Sequence, residues 1–170
     1  MTNIPRLGLL RLAHVALRSP DPERLAAYYE ANVGLVRVAD AGDGAIRLTT
    51  DYQPHCLELH TASAPSLDHI AFEVESWEGF AREADLLAAN GVPVAWGPGR
   101  HAPSRNYFMY FDDADGNRIE WMAGVRQIPD DETHEPAVFD PGQPTTWNVW
   151  GVMPPPHFLT RIGPGSLAAV

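Results

Sequence analysis

A short run of alternating positions, Leu12-Ala13-His14-Val15-Ala16-Leu17, reads as a strand. Leu67-Asp68-His69-Ile70-Ala71-Phe72 repeats it 55 residues later, with His and Ala in register. A helix signal follows each run. Ser19-Pro20-Asp21-Pro22 leads into Leu25, Ala26, Tyr28 and Tyr29 and stops at Asn32-Val33-Gly34; Ser76 leads into Phe80, Ala84, Leu87 and Ala88 and stops at Asn90-Gly91. Short alternating segments come next, at 35–39, 45–50 and 56–60 in the first half and at 92–96, 106–111 and 118–123 in the second. Asp115-Gly116 between the last two is a hairpin turn signal. The chain is therefore expected to be α+β, with two βαβββ repeats at about residues 10–62 and 66–124 forming one module over residues 1–124.

The remainder has a different texture. Eight of the sixteen prolines fall in residues 125–170, around Trp147, Trp150 and Phe158. Prolines at this density argue against helix and against a central strand, and the aromatics argue against disorder. An irregular tail packed over the module or at a subunit contact is expected. Composition narrows the function classes. With 45% hydrophobic residues the 170-residue chain can bury a core, and a net charge of −10 disfavours nucleic acid and anionic membrane surfaces as partners. Absence of an 18-residue apolar run gives no sign of a span or signal peptide, so a cytoplasmic location is expected. Cys56 is the single cysteine, which leaves histidine and carboxylate as the available metal donors.

Strand geometry then selects candidates. Alternate side chains share a face. His14 falls with Ala16, away from Val15 and Leu17; His69 falls with Ala71 and Glu73, away from Ile70, Phe72 and Val74; Glu120 falls with Met122, away from Ile119 and Trp121. Two histidines and one glutamate thus face away from the helices on corresponding strands. That donor set suits Fe(II) in a facial triad, with positions left open for substrate and dioxygen. By contrast, Glu58 and His60 read as a surface pair, Arg100 and Arg105 as loop residues, and His134 and His157 have no evident partner.

Several stretches carry a resemblance: Gly97-Pro98-Gly99-Arg100-His101, then Asn106-Tyr107-Phe108-Met109-Tyr110-Phe111, then Asp115-Gly116-Asn117-Arg118-Ile119-Glu120, with His55 fourteen residues before His69. Over residues 10–124 the chain resembles the vicinal oxygen chelate superfamily of glyoxalases, bleomycin-resistance proteins and dioxygenases, and within it the catalytic module of type I extradiol catechol dioxygenases. The resemblance implies His14, His69 and Glu120 as Fe(II) ligands, His55 as the acid-base residue, and Tyr110 and His101 as hydrogen-bond partners of a bound catecholate. Its implied reaction is ring cleavage of a catechol by O2 to a semialdehyde. Two positions depart from the homoprotocatechuate-cleaving members: Trp96 replaces an arginine, and Ala16 replaces an asparagine. Those members carry two such modules and this chain shows one, so it resembles the single-module enzymes, a group that includes L-DOPA 2,3-dioxygenases of antibiotic biosynthesis. L-DOPA is accordingly the expected substrate and a homo-oligomer the expected assembly. A metal-dependent glyoxalase or thiol transferase, and a non-catalytic drug-binding protein, are the competing readings of the same fold.

Overall fold

The structure is a computed structural model that describes residues 8–38, 42–50, 55–125, 140 and 142–160. The first repeat comprises β1 (Leu9–Ser19), α1 (Pro22–Val33), β2 (Val36–Arg37), β3 (Ile46–Thr49) and β4 (Leu57–Thr61). The second comprises β5 (Ser66–Val74), α2 (Trp77–Ala89), β6 (Val94–Arg100), β7 (Tyr107–Asp112) and β8 (Arg118–Ala123). All eight strands form one sheet in the order β2-β3-β4-β1-β5-β8-β7-β6. The leading strands β1 and β5 run antiparallel side by side at its centre, and each is flanked on its outer side by a parallel strand of its own repeat, β4 or β8. This arrangement gives the two repeats an approximate twofold relation about the β1–β5 seam.

Local chemistry explains the helix ends. The Asp21 side chain accepts from the Arg24 N–H at 2.9 Å and Ser76 accepts from the Gly79 N–H at 3.0 Å, each satisfying an otherwise unpaired first-turn donor. Gly34 stops α1 in the left-handed region at φ 81°. Each helix packs on its own repeat: Ala26 of α1 against Leu48, Leu57 and Leu59, and Phe80 and Leu87 of α2 against Val74, Met109, Phe111 and Trp121. The side chains alternating with these, Phe108, Tyr110, Glu120 and Met122, occupy the opposite face of the sheet.

Three expectations are corrected. β6 runs to Arg100 rather than ending at Trp96, because an edge strand tolerates Pro98 and absorbs it with register shifts on either side of Trp96. β2 is only two residues long. The tail does contain helix: α3 (Pro144–Trp147) and α4 (Pro156–Thr160) both begin on proline, which is unpenalised in a first turn because its missing N–H would have no partner there. Residues 126–139 and 161–170, including His134, lie outside the described residues. The described tail is bound to the module by the Ala102 N–H to the Thr146 carbonyl (3.2 Å), the Val149 N–H to the Arg100 carbonyl (2.9 Å) and Arg118 Nη2 to the Phe158 carbonyl (2.8 Å). Phe158 is buried with Trp96, Phe108 and Tyr110. No helix among the described residues is long and apolar enough to cross a membrane.

Candidate metal centre

The central seam positions three donors. His14 lies on β1, His69 on β5 and Glu120 on β8, where Ala71 pairs with both His14 and Glu120, and Ala16 pairs with His69. Small buried neighbours, Ala13, Ala16 and Ala71, leave room for the larger side chains to converge. His14 Nε2 is 2.9 Å from His69 Nε2, His69 Nε2 is 3.2 Å from Glu120 Oε2, and His14 Nε2 is 3.8 Å from the same oxygen. Donors about 2.1 Å from a transition metal and about 90° apart lie about 3 Å from one another, so the three fit a single ion.

Charge supports that fit. Burial, followed by the charges of His69 and His55, lowers His14 to about 3, so it is a neutral imidazole, the form that ligates metal. Burial opposes protonation of His69, but hydrogen bonds to Asp68 and Glu120 outweigh it and raise the group to about 10. Glu120 is held well below the usual carboxylate range, where bonds from His101 and His69 overcome its burial. The cluster therefore gathers positive charge between two imidazoles and a carboxylate, as a divalent ion would.

A second donor group, His14, His55 and Glu58, shares His14 with the first. Glu58 is buried, contrary to the surface pair expected with His60, because Arg47 approaches it at 2.5 Å. That guanidinium already compensates Glu58, whose carboxyl stays well below its ordinary value against the opposing effect of burial. Glu120 faces no arginine at such a distance among the described residues, which favours the first group as the cation site.

Around it stand the other expected residues. The His55 ring lies 4.6 Å from that of His14; its Nε2 is buried without a hydrogen-bond partner, and burial lowers its affinity for a proton. Tyr110 pairs across the hairpin with Glu120 and stacks on Trp96 at 5.5 Å. Burial first, then Glu120, raises its hydroxyl well above the ordinary value, so it is a neutral donor. His101 donates Nδ1–H to the Trp147 carbonyl at 2.6 Å, which turns Nε2 toward Glu120 Oε1 at 3.7 Å. All six expected site residues are thus assembled on one face of the sheet. Arg100 and Arg105 remain outside it, Arg100 Nε bonding to the Arg105 carbonyl, and His157 is exposed on α4. Residue patterns placed Glu58 at the surface and missed Arg47, Asp68, Arg18 and the Trp147 carbonyl. Isolated charges within apolar strands were the available signal for the three charged ones.

Comparison with known proteins gives a consistent result. The family model described as Glyoxalase/Bleomycin resistance protein/Dioxygenase superfamily matches residues 11–121. Metapyrocatechase 2 of Cupriavidus necator is 32% identical over 133 residues, covering 75% of this chain and 41% of that protein. Homoprotocatechuate 2,3-dioxygenase of Brevibacterium fuscum, solved with 3,4-dihydroxyphenylacetate, is 25% identical with a TM-score of 0.74, over 89% of this chain and 49% of that one. A Mn(II)-bound glyoxalase from Novosphingobium aromaticivorans, 24% identical, shares the fold with a TM-score of 0.75 over 88% and 49% of the two chains. The chain spans less than half the length of these relatives.

Proposed function

As the chain belongs to the Glyoxalase/Bleomycin resistance protein/Dioxygenase superfamily, we propose that it is an extradiol dioxygenase that opens a catechol ring beside its two hydroxyls. The observation that carries this reading is the buried His14–His69–Glu120 set with the unpartnered Nε2 of His55 beside it. Iron(II), held by those three side chains, would supply a Lewis acid that lowers the pKa of catechol hydroxyls and a site for dioxygen. The alternative donor group of His14, His55 and Glu58 would need Glu58 as a ligand, and the Arg47 ion pair works against that role.

The chain's own residues have distinct tasks. His55, neutral and desolvated, accepts a proton from the catechol at Nε2 and holds it there for return to the product as the ring opens. Tyr110 donates its hydroxyl hydrogen bond to a deprotonated substrate oxygen, a preorganised contribution because the ring is locked against Trp96. His101, held through Nδ1 by the Trp147 carbonyl, presents Nε2 on the same side, toward Glu120 and the catechol. Trp96, Phe108 and Phe158 form an aromatic wall against which a catechol ring packs.

Anaerobic protein loaded with Fe(II) or Mn(II) is given L-DOPA, catechol or 3,4-dihydroxyphenylacetate and then oxygen. A yellow ring-opened product is expected, with iron the better metal and L-DOPA the preferred substrate. His55→Ala should retain metal and lose turnover by about 100-fold or more, whereas Glu120→Ala should lose metal. Failure of every catechol with either metal would refute the proposal.

A further inference from the structure

We propose that Asp68 and Arg18 are positioning residues, a relay behind His69 that sets how tightly this one histidine holds the metal. The inference rests on the reading of His14, His69 and Glu120 as the ligand set. His69 is engaged at both ring nitrogens: Nε2 points to His14 and Glu120, and Nδ1 lies 3.0 Å from Asp68 Oδ1. A carboxylate can only accept, so Nδ1 keeps its hydrogen, and it is the proton at Nε2 that a metal ion would displace to use that nitrogen as a ligand. The other Asp68 oxygen, Oδ2, is bound by Arg18 Nη2, and both side chains are nearly excluded from solvent, at 11% and 3% exposure.

Backbone register explains why this contact exists. In a regular strand Asp68 and His69 would point to opposite faces. Ala16 pairs with His69 but Leu17 pairs with Leu67, so Asp68 is the extra residue of a bulge, which re-aims a side chain. The first repeat carries the matching irregularity: Leu12 pairs with Phe72 and His14 with Ala71, which skips Ala13. Both metal-facing histidines therefore follow a bulge residue. In the second repeat that residue is an aspartate, and in the first it is an alanine that can offer nothing to His14. The relay is an asymmetric addition to a duplicated framework. Arg18 has the same logic, since it shares the His14 and Ala16 face of β1 and supplies the charge that makes burial of Asp68 tolerable.

An anionic partner at Nδ1 makes imidazole a stronger donor, and loss of such a partner costs metal affinity about 10–100-fold. Asp68→Asn, Asp68→Ala, Arg18→Met and the Asp68→Ala/Arg18→Met double variant are compared anaerobically. Fe(II) affinity is read by competition with a chromophoric chelator, the Fe(III)/Fe(II) midpoint potential by redox titration, and folding by urea unfolding of the metal-free proteins. Asp68→Ala and Asp68→Asn should weaken Fe(II) binding about 10–100-fold and raise the midpoint potential, because negative charge is withdrawn from a ligand. Arg18→Met should weaken binding less, and the double variant should bind as Asp68→Ala does, since Arg18 acts through Asp68. Wild-type-like affinity and potential in Asp68→Asn, or additive losses in the double variant, overturn the relay while leaving the ligand set intact. If the wild-type protein binds no Fe(II), the ligand set falls and the relay with it. Asp68→Asn preserves shape and so carries the test if Asp68→Ala fails to fold.

Discussion

Asn148 links the tail to the site, and its removal has a calculable cost. The side chain is fully buried; its Oδ1 accepts from the Arg100 N–H at 3.2 Å and the Trp150 N–H at 3.0 Å, and its Nδ2 donates to the Val152 carbonyl at 2.9 Å. Asn148→Ala deletes all three bonds, but not with equal consequence. Val152 keeps the Trp96 indole N–H at 3.0 Å on its carbonyl, and Trp150 is exposed enough for water to reach its amide. The Arg100 N–H, between β6 and the tail, is left without a partner. A dry orphaned donor costs about 1–3 kcal/mol and a hydrated lost bond about 0.5–1 kcal/mol, so the sum is about 3 kcal/mol. Urea unfolding followed by circular dichroism should show that loss. Because Trp147, the preceding residue, holds His101 through its carbonyl, the variant should also lose turnover in the catechol assay while still binding metal. A loss below about 1 kcal/mol would show that the tail does not depend on this side chain and would refute the reasoning.

Gly99→Ala would place a Cβ 2.5 Å from Phe108 Cζ and 2.7 Å from Asn148 Nδ2, so a loss of about 1–3 kcal/mol is expected from the melting temperature, with tail-cleaving protease sensitivity rising in parallel. Glu83 is fully buried with Oε2 unpartnered, and burial raises its carboxyl against the opposing hydrogen bond from the Gly8 N–H. Below the ordinary carboxyl value both folded and unfolded chains are protonated; as pH rises toward the folded value the unfolded chain releases its proton first, and stability falls. Glu83→Gln removes that fall, so its urea midpoint should exceed wild type at about pH 7 and match it near pH 3.5; equal differences at both pH values would contradict this.

Much of the fold can be read from the chain because it is written twice. His14 and His69 recur in register, each before a capped helix, and the Asp115-Gly116 turn sets Tyr110 opposite Glu120. The triad is legible for the same reason, since period-two alternation places all three donors on the face that the helices leave free. Alternation is also what hides Asp68: it assigns neighbouring residues to opposite faces, and only the bulge brings Asp68 beside His69. The true end of β6 is hidden by Gly97-Pro98-Gly99, which signals a turn except at a sheet edge. The Trp147 carbonyl has no side-chain signature, because its contact depends on where the tail docks. Glu58 was visible as a residue but not as a buried one, for its burial depends on a cation from the next strand.

That last dependence decides which carboxylate of the duplicated framework is available to a cation. Glu58 on β4 and Glu120 on β8 occupy equivalent strands, each parallel to the leading strand of its repeat. The residue paired with each from the neighbouring hairpin strand differs: Arg47 stands across from Glu58, and Tyr110 stands across from Glu120. A guanidinium cancels the first carboxylate, whereas a neutral phenol leaves the second with its charge. The symmetry that could have built two equal half-sites is broken at this pair. Arg47→Met tests the account. It leaves buried Glu58 with His60 Nε2 at 3.6 Å in place of a guanidinium, and removal of one partner of a buried pair costs about 3–5 kcal/mol. The metal-free variant should therefore unfold at clearly lower urea than wild type. Glu58 Oε2 lies 3.9 Å from His14 Nε2, so the carboxylate freed of its guanidinium becomes a further donor near the same ion. Mn(II) should then restore more stability to the variant than it adds to wild type, because ligand binding to the folded state stabilises according to affinity. If Arg47→Met unfolds as wild type does and gains no more from Mn(II), the opposing residue is not what distinguishes the two carboxylates.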